Sequence, residues 1–162
     1  MAEKVKAIPK GYHTVTPVIT VRDGMKALEF YKQAFGAEVR GVHKAPDGRV
    51  AHAEFKIGDS IIMLADEFPG FSTSPQALGG TATSLTIYTE TVDQLFDRAV
   101  KAGATVTMPL ANQFWGERYG VVTDPFGHRW SLAQHVEDVA PEEMERRSKE
   151  AFAKMASAAK AQ

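Results

Sequence analysis

Two short segments of the sequence carry side chains that could do chemistry, and the first contains His52 and Glu54. These two residues are separated by one position within a segment that alternates polar and apolar side chains. On a β-strand this spacing places both side chains on one face, with Cβ atoms about 7 Å apart. An imidazole and a carboxylate at that separation could hold a divalent ion or move a proton. The polar face of a solvent-exposed sheet gives the same pattern, so both interpretations stay open.

The second segment combines aromatic and charged side chains. Its members are Phe114, Trp115, Glu117, Arg118 and Tyr119. A flat aromatic surface with a few fixed polar groups is typical of a pocket for a small molecule. The alternative is that the two leading aromatic residues plug an opening, while Glu117 and Arg118 form a surface ion pair of little energetic value.

A duplicated folding unit must position these residues. The first copy spans Val18–Leu64 and the second spans Leu85–Gln134. The copies align when Leu28 is laid over Leu95, which also superposes two similar Gly-Ala segments that follow the helices. Each copy has the pattern of a strand, a helix and three strands, and such a repeat governs the fold of the whole chain.

The first copy begins with a β-branched strand, Val15–Val21, and continues with a helix, Gly24–Phe35, that Gly36 ends. The next strand, Arg49–Ile57, alternates between two faces. One face is predicted to hold Ala51, Ala53, Phe55 and Ile57, and the other Val50, His52, Glu54 and Lys56. Ile61–Leu64 is predicted to be the last strand of this copy.

The second copy carries stronger helix signals. Thr91 to Gln94 fits a capping box, and an apolar stripe follows until Gly103. The segment Asp124 to Gly127 is predicted to be a tight turn before the last strand, Arg129–Gln134. These elements divide the chain into a first module (residues 14–66), a linker (67–81), a second module (82–135) and a tail (136–162) with a helix from Pro141.

Composition argues against several classes of function. The net charge of −1 and the lack of a basic run argue against binding to nucleic acid or to an anionic membrane. The sequence has no cysteine, which excludes disulfides, thiolate zinc sites and a cysteine nucleophile. We find no signal peptide and no apolar run of membrane-spanning length, and therefore expect a cytoplasmic protein. The sequence contains neither a nucleophile elbow nor a phosphate-binding glycine loop.

Several local motifs resemble one known superfamily. They are FYKQAFGA (residues 30–37), HAE (52–54), DSIIMLAD (59–66), QFWGERYG (113–120) and DPFGHRW (124–130). With the paired β-α-β-β-β modules, they resemble the vicinal oxygen chelate superfamily of glyoxalases, bleomycin-resistance proteins and extradiol dioxygenases, and within it the PhnB-like branch. The resemblance covers about residues 14–135 and implies an α+β fold with curled, cup-shaped mixed sheets, to which a C-terminal helix is added. It does not fix the reaction, because this fold supports many chemistries and some non-catalytic binders.

The resemblance also implies where a metal would bind. Metal-dependent members place four ligands, His, Gln or Glu, on the first and last strands of the two modules. The corresponding positions in this sequence are Thr16, Met63, Ser84 and Ser131. Hydroxyls and a thioether are poor ligands for a divalent ion, so we expect no metal there and neither glyoxalase I nor dioxygenase activity. A relocated metal near His52 and Glu54 is the alternative. Since Ser131 would face the cavity, Trp130 is predicted to pack under the helices.

Three functions are compatible with these features. The first is a metal-independent small-molecule-binding protein of the bleomycin-resistance type, which encloses an aromatic or peptide-like ligand. Its cavity would be lined by Met63, Ser84, Trp115, Arg118, Tyr119 and Ser131. The second is a lyase or isomerase that uses Glu54, Glu117 or His52 as acid or base, with a carboxylate pKa raised by burial. The third is an interaction module whose cavity is filled by side chains.

A homodimer is also expected, because members of the superfamily commonly complete each cavity with modules from two chains. The C-terminal helix could lock such a pair. The sequence leaves open whether the two cups pair within one chain or across two.

Overall fold

The structure is a computed structural model that describes residues 5–159 of the 162-residue chain. It confirms the predicted pair of β-α-β-β-β modules and the C-terminal helix. Module 1 consists of β1 (Val18–Val21), α1 (Gly24–Phe35), β2 (Glu38–Lys44), β3 (Val50–Ile57) and β4 (Ser60–Asp66). Module 2 consists of β5 (Ser84–Tyr88), α3 (Val92–Ala102), β6 (Thr105–Asn112), β7 (Glu117–Thr123) and β8 (Arg129–His135). A short helix α2 (Pro75–Leu78) lies between the modules, and α4 (Pro141–Ala159) follows them.

Each module forms one four-stranded mixed sheet, and the two sheets have the same strand order. That order is β1-β4-β3-β2 in module 1 and β5-β8-β7-β6 in module 2. In each sheet the first and last strands of the module are parallel neighbours: β1 pairs with β4, where Val18 lies opposite Met63, and β5 pairs with β8, where Thr86 lies opposite Ser131. The paired residues are separated by the same number of positions in both modules, as expected for a duplicated unit.

Helix α1 begins and ends as its sequence predicts. The side chain of Asp23 accepts a hydrogen bond from the backbone N–H of Lys26, which satisfies one free donor of the first turn. Gly36 ends the helix at φ 67°, a conformation that costs glycine little. The predicted capping box of α3 is wrong, because Thr91 makes no side-chain cap bond. The Gln134 side chain on β8 instead accepts from the backbone N–H of Val92 at 3.5 Å.

The predicted faces of β3 are wrong at its beginning. The β2–β3 register shifts between His43 and Lys44, so Val50 turns toward the helix and is fully buried while Ala51 is exposed. Val50 packs so closely on α1 that a Cβ atom at Gly24 would lie 2.8 Å from its side chain. From His52 onward, beyond this register shift, the side chains of β3 alternate as predicted.

A shared core joins the modules through Tyr31 of α1. Its ring stacks on Phe55 of module 1 with centroids 4.9 Å apart and lies 5.3 Å from the Trp130 ring of module 2. In one continuous sheet with β1 beside β5, Phe55 and Trp130 would lie four strand spacings apart, about 19 Å. The two sheets therefore turn their helix-side faces toward each other, with α1 and α3 packed between them.

The other surface of each sheet points away from this core. We call these surfaces the outward face of module 1, which carries Glu54 and Met63, and the outward face of module 2, which carries Ser84 and Ser131. Trp130 is fully buried on the helix side, as predicted, because it alternates with Ser131 along β8. Within the described residues, no helix is long and apolar enough to cross a membrane.

We predict that Tyr31→Phe lowers the free energy of unfolding by about 1–3 kcal/mol, because the Tyr31 hydroxyl donates to the buried Asp124 carboxylate at 2.7 Å. Denaturant unfolding followed by circular dichroism measures the change. Tyr88→Phe is the matched control, since the Tyr88 hydroxyl also donates to a carboxylate but its side chain is exposed. Equal losses in the two variants would show that the Tyr31 bond does not hold the modules together.

Candidate functional site

A chain of three hydroxyl groups crosses the outward face of module 2. The Ser84 and Ser131 oxygens lie 3.0 Å apart, and the Tyr119 hydroxyl lies 2.6 Å from Ser131. The three residues come from β5, β8 and β7, which are neighbours in the sheet. Ser131 is almost fully buried beneath its two partners. Each hydroxyl can both donate and accept, so the chain satisfies itself without a charged group.

A carboxylate held by neutral donors lies on the same face. Glu117 accepts from the Tyr88 hydroxyl at 2.7 Å and from the Trp115 indole N–H at 2.9 Å. The hydrogen bond to Glu117 raises the pKa of Tyr88 above its ordinary value. The Trp115 ring meets the Tyr119 ring edge to face, with centroids 5.6 Å apart. Among the ion pairs of residues 5–159, none involves Glu117, so its charge is available to a ligand.

The turn that carries Trp115 is fixed by backbone packing. Gly116 has φ 90°, and a Cβ atom there would lie 2.2 Å from the carbonyl oxygen of Glu137. The Gly116 carbonyl accepts from the backbone N–H groups of Val136 and Glu137. Only glycine allows this close approach, and the contact orients Trp115 toward Glu117.

Arg118 does not join the predicted ligand-binding residues. It precedes Tyr119 on β7 and therefore points to the helix side. There its guanidinium binds Asp93 of α3 through two hydrogen bonds, of 2.8 and 2.5 Å. The Glu117–Arg118 ion pair of the alternative interpretation is not formed, for the same reason, and the alternation of the strand was the signal that could have excluded it.

The outward face of module 1 is more polar. Glu54 lies opposite Met63 on the neighbouring strand, and the His52 Nε2 atom lies 3.3 Å from the Glu54 carboxylate. The His43 ring stacks 6.4 Å from that of His52. The nearby Tyr12 hydroxyl, more than His52, lowers the pKa of this carboxyl group. The predicted raised pKa is thus wrong for Glu54, because hydrogen bonds to the ionised form outweigh its partial burial.

The residues at the family's metal positions do not fit a divalent ion. Thr16 precedes β1 and donates its hydroxyl to the His13 carbonyl at 3.1 Å, while Ser84 and Ser131 bond to each other. Met63 adds only a thioether. Residues 5–159 contain no cluster of three or more histidine or acidic side chains that could hold a metal. His52 and Glu54 thus lack a third protein ligand of these types.

Comparisons with known proteins place these features in context. A family model described as "Glyoxalase/Bleomycin resistance protein/Dioxygenase superfamily" matches residues 12–132. An uncharacterized protein of Mycobacterium bovis is 43% identical over 135 residues, which cover 81% of this chain and 89% of that protein. The X-ray structure of an Arabidopsis thaliana gene product has a TM-score of 0.61 and 29% identity, and the match covers 75% of this chain and 98% of that one.

The fold is also that of a PhnB protein. The structure of the Bacillus cereus PhnB protein has a TM-score of 0.56 and 21% identity, and the match covers 75% of this chain and 99% of that one. At this identity the likeness concerns the fold alone.

We predict that Tyr12→Phe raises the Glu54 pKa toward the ordinary glutamate value, because the largest cause of the lowered pKa is the Tyr12 hydrogen bond. A lowered pKa stabilises the folded protein at pH above the ordinary glutamate value, and this contribution is lost as the pH falls through the folded-state pKa. NMR titration of the Glu54 side-chain carboxyl measures the shift. In the control variant Tyr88→Phe the Glu54 titration should not move. An unchanged Glu54 pKa in Tyr12→Phe would contradict the assignment.

Proposed function

The chain belongs to the glyoxalase/bleomycin resistance protein/dioxygenase superfamily, and we propose that it is a small-molecule-binding protein of the bleomycin-resistance type that works without a metal. The ligand would lie on the outward face of module 2. The observation that carries the proposal is the hydroxyl chain Ser84–Ser131–Tyr119. By the family resemblance, two of its members, Ser84 and Ser131, correspond to positions where metal-dependent members have His, Gln or Glu ligands. Neutral hydroxyls can hydrogen-bond a ligand, but they compete poorly with water for a divalent ion.

The side chains around the hydroxyl chain favour an aromatic or peptide-like ligand. Trp115 and Tyr119 offer ring surfaces on which a flat group can stack. Glu117 can accept hydrogen bonds from amide or ammonium groups, since its present donors are neutral. Apolar burial would supply affinity while the polar groups orient the ligand.

A second chain would complete this site, and we propose a homodimer. The outward faces of the two modules turn away from one shared core, so a single chain does not close a cup between them. Strands β1 and β5 lie at sheet edges, and each exposes a large side chain on its outward face: Val18 is 66% exposed and Tyr88 is 63% exposed. Module 1 of one chain would cover module 2 of its partner, which buries both side chains and places Glu54 and Met63 across from Ser131.

An acid/base lyase or isomerase is the second candidate, and Glu117 is the observation that favours it. A carboxylate bonded only to a phenol and an indole can accept a proton from a bound substrate. Glu54 is less suited, because its lowered pKa makes it a weaker base. A Glu117→Gln variant separates the candidates: an enzyme loses its turnover, whereas a binder shows no turnover before or after the change and only binds its ligand more weakly.

We predict that metal-free bleomycin quenches tryptophan fluorescence and that EDTA leaves its affinity unchanged. Trp130 is buried in the core, so the quenching should come from Trp115. Trp115→Phe should abolish the quenching, and isothermal titration calorimetry should show weaker binding. Phe71→Leu is the control, because Phe71 is an exposed aromatic residue of the linker.

Two outcomes would contradict this proposal. Loss of binding in EDTA, or one tightly held metal ion per chain in elemental analysis of untagged protein, would show a metal-dependent site. Absence of any bleomycin binding would show that the ligand is not of this peptide-like class.

We predict that the dimer shares its sites between chains, which a mixing experiment can detect. Met63→Arg would block the outward face of module 1, and Ser131→Arg would block that of module 2. In a heterodimer of the two variants, one site combines both blocked modules and the other combines two intact ones, so half of the bleomycin binding should return. Sites formed within one chain would all stay blocked. Light scattering should give twice 17.7 kDa, and a monomer mass would contradict the dimer.

A further inference from the structure

A recess of about 730 Å³ lies between the two modules, and at its border it includes Thr86 and Tyr88 from the outward face of module 2. It runs along the open edge of β5, between that strand, helix α3 and the beginning of β4. The volume is in the range of sites that hold small ligands, about 300–1,000 Å³. We call it the inter-module recess.

The recess exists because the duplication is imperfect at this point. Laying Leu28 over Leu95 places Tyr31 over Arg98 and Phe35 over Ala102. In α1 both aromatic rings fill the shared core, and Tyr31 is fully buried. In α3 the equivalent positions hold a small residue and an exposed arginine. Aromatic volume is therefore lost on one side of the pseudo-symmetric core.

The equivalent place on the other side is smaller and better covered. A recess of about 430 Å³ lies along the open edge of β1, and linker residues Pro75 and Leu78 form part of its wall. The α2 segment packs there against the β7–β8 turn, where a Cβ atom at Gly127 would lie 2.8 Å from Pro75. Beside β5, the lining includes no residue of α2.

The deeper walls of the inter-module recess are apolar. Ile57 and Ile62 come from module 1, Leu85 and Ile87 from module 2, and the fully buried Trp130 contributes to the lining. Such a surface favours an apolar group, because binding there removes the apolar area of that group from water.

Arg98 supplies a positioned cation at this recess. Its Nε atom donates to the Ala34 carbonyl at 2.8 Å, which holds the guanidinium at the end of α1. Within residues 5–159 neither Nη atom of Arg98 has a hydrogen-bond acceptor, and its neighbour one turn earlier, Gln94, also lines the recess. The acidic residue of the lining, Asp59, lies 3.8 Å from His13. A guanidinium with free N–H groups can bind a carboxylate through two parallel hydrogen bonds.

We propose that the inter-module recess is a second ligand site, for an apolar molecule with an anionic head group. The apolar part would lie on the isoleucine, leucine and tryptophan side chains, and the head group would bind Arg98. The proposal does not depend on the proposed function, because it uses neither the hydroxyl chain nor Glu117.

Decanoate and decanol test this proposal by isothermal titration calorimetry on the full chain. Decanoate should bind more tightly than decanol to the wild type. Arg98→Gln should weaken decanoate about tenfold, as expected for loss of a charged hydrogen-bond partner, while decanol affinity stays the same. Arg118→Gln is the matched control, because Arg118 is on the same module but is bound to Asp93, and it should leave decanoate affinity unchanged.

Three further measurements distinguish loss of the Arg98 contact from misfolding and from binding at the outward face. Circular dichroism checks folding, and Arg98→Lys should retain part of the preference for decanoate. Bleomycin affinity should persist in saturating decanoate, which separates this site from the outward face. Equal decanoate affinity in the wild type and Arg98→Gln would overturn the proposal. Decanoate affinity that changes with protein dilution would overturn it too, since the recess would then be part of a contact between chains.

Discussion

The buried carboxylate of Asp124 determines how the two halves of this protein meet. One of its oxygens accepts from the Tyr31 hydroxyl at 2.7 Å and from the Trp130 indole N–H at 2.8 Å. The other accepts two backbone N–H groups, those of Phe126 and His128. Burial, with the nearby charge of Asp124, raises the pKa of Tyr31 well above its ordinary value, so the phenol stays a donor. A carboxylate with four donors tolerates burial, whereas one left unpaired would not.

The hydrogen bond between Tyr31 and Asp124 also determines which surfaces are open to a ligand. Since Tyr31 of module 1 must reach Asp124 of module 2, the helix sides of both sheets turn inward. The outward faces then carry the remaining chemistry, and they have diverged. Module 1 presents a histidine–carboxylate pair at Glu54, while module 2 presents neutral hydroxyls around Ser131. A cup built from two chains would oppose these two chemistries, which neither module offers alone.

The sequence predicted the elements well, because the repeat and the helix periodicity depend on local patterns. Local patterns do not predict features that depend on a neighbouring strand. The side chain of Val50, for example, points to the helix side because the pairing of β3 with β2 shifts register there. The composition of residues 114–119 predicts that Arg118 faces the ligand, whereas the alternation of β7 turns its side chain to the helix side, where it binds Asp93. Asp124 was predicted as a turn residue only, and its bond to Tyr31 joins positions 93 residues apart. The inter-module recess could not be predicted, because it depends on how the modules pack.

The C-terminal helix α4 also distinguishes the two outward faces, because it packs beside the turn of module 2 that carries Trp115. Arg147 of α4 binds Glu137 and Glu143 and donates to the Phe114 carbonyl at 3.4 Å. Hydrogen bonds from Arg146 and then Arg147 lower the pKa of Glu143 to about 2, so this network stays charged at neutral pH. The helix is therefore anchored beside the turn that carries Trp115. The segment that follows module 1 is instead the linker, which leads into module 2. In module 2, α4 thus holds the turn with Phe114 and Trp115 at the edge of the face that carries the hydroxyl chain, and module 1 is followed by the linker instead.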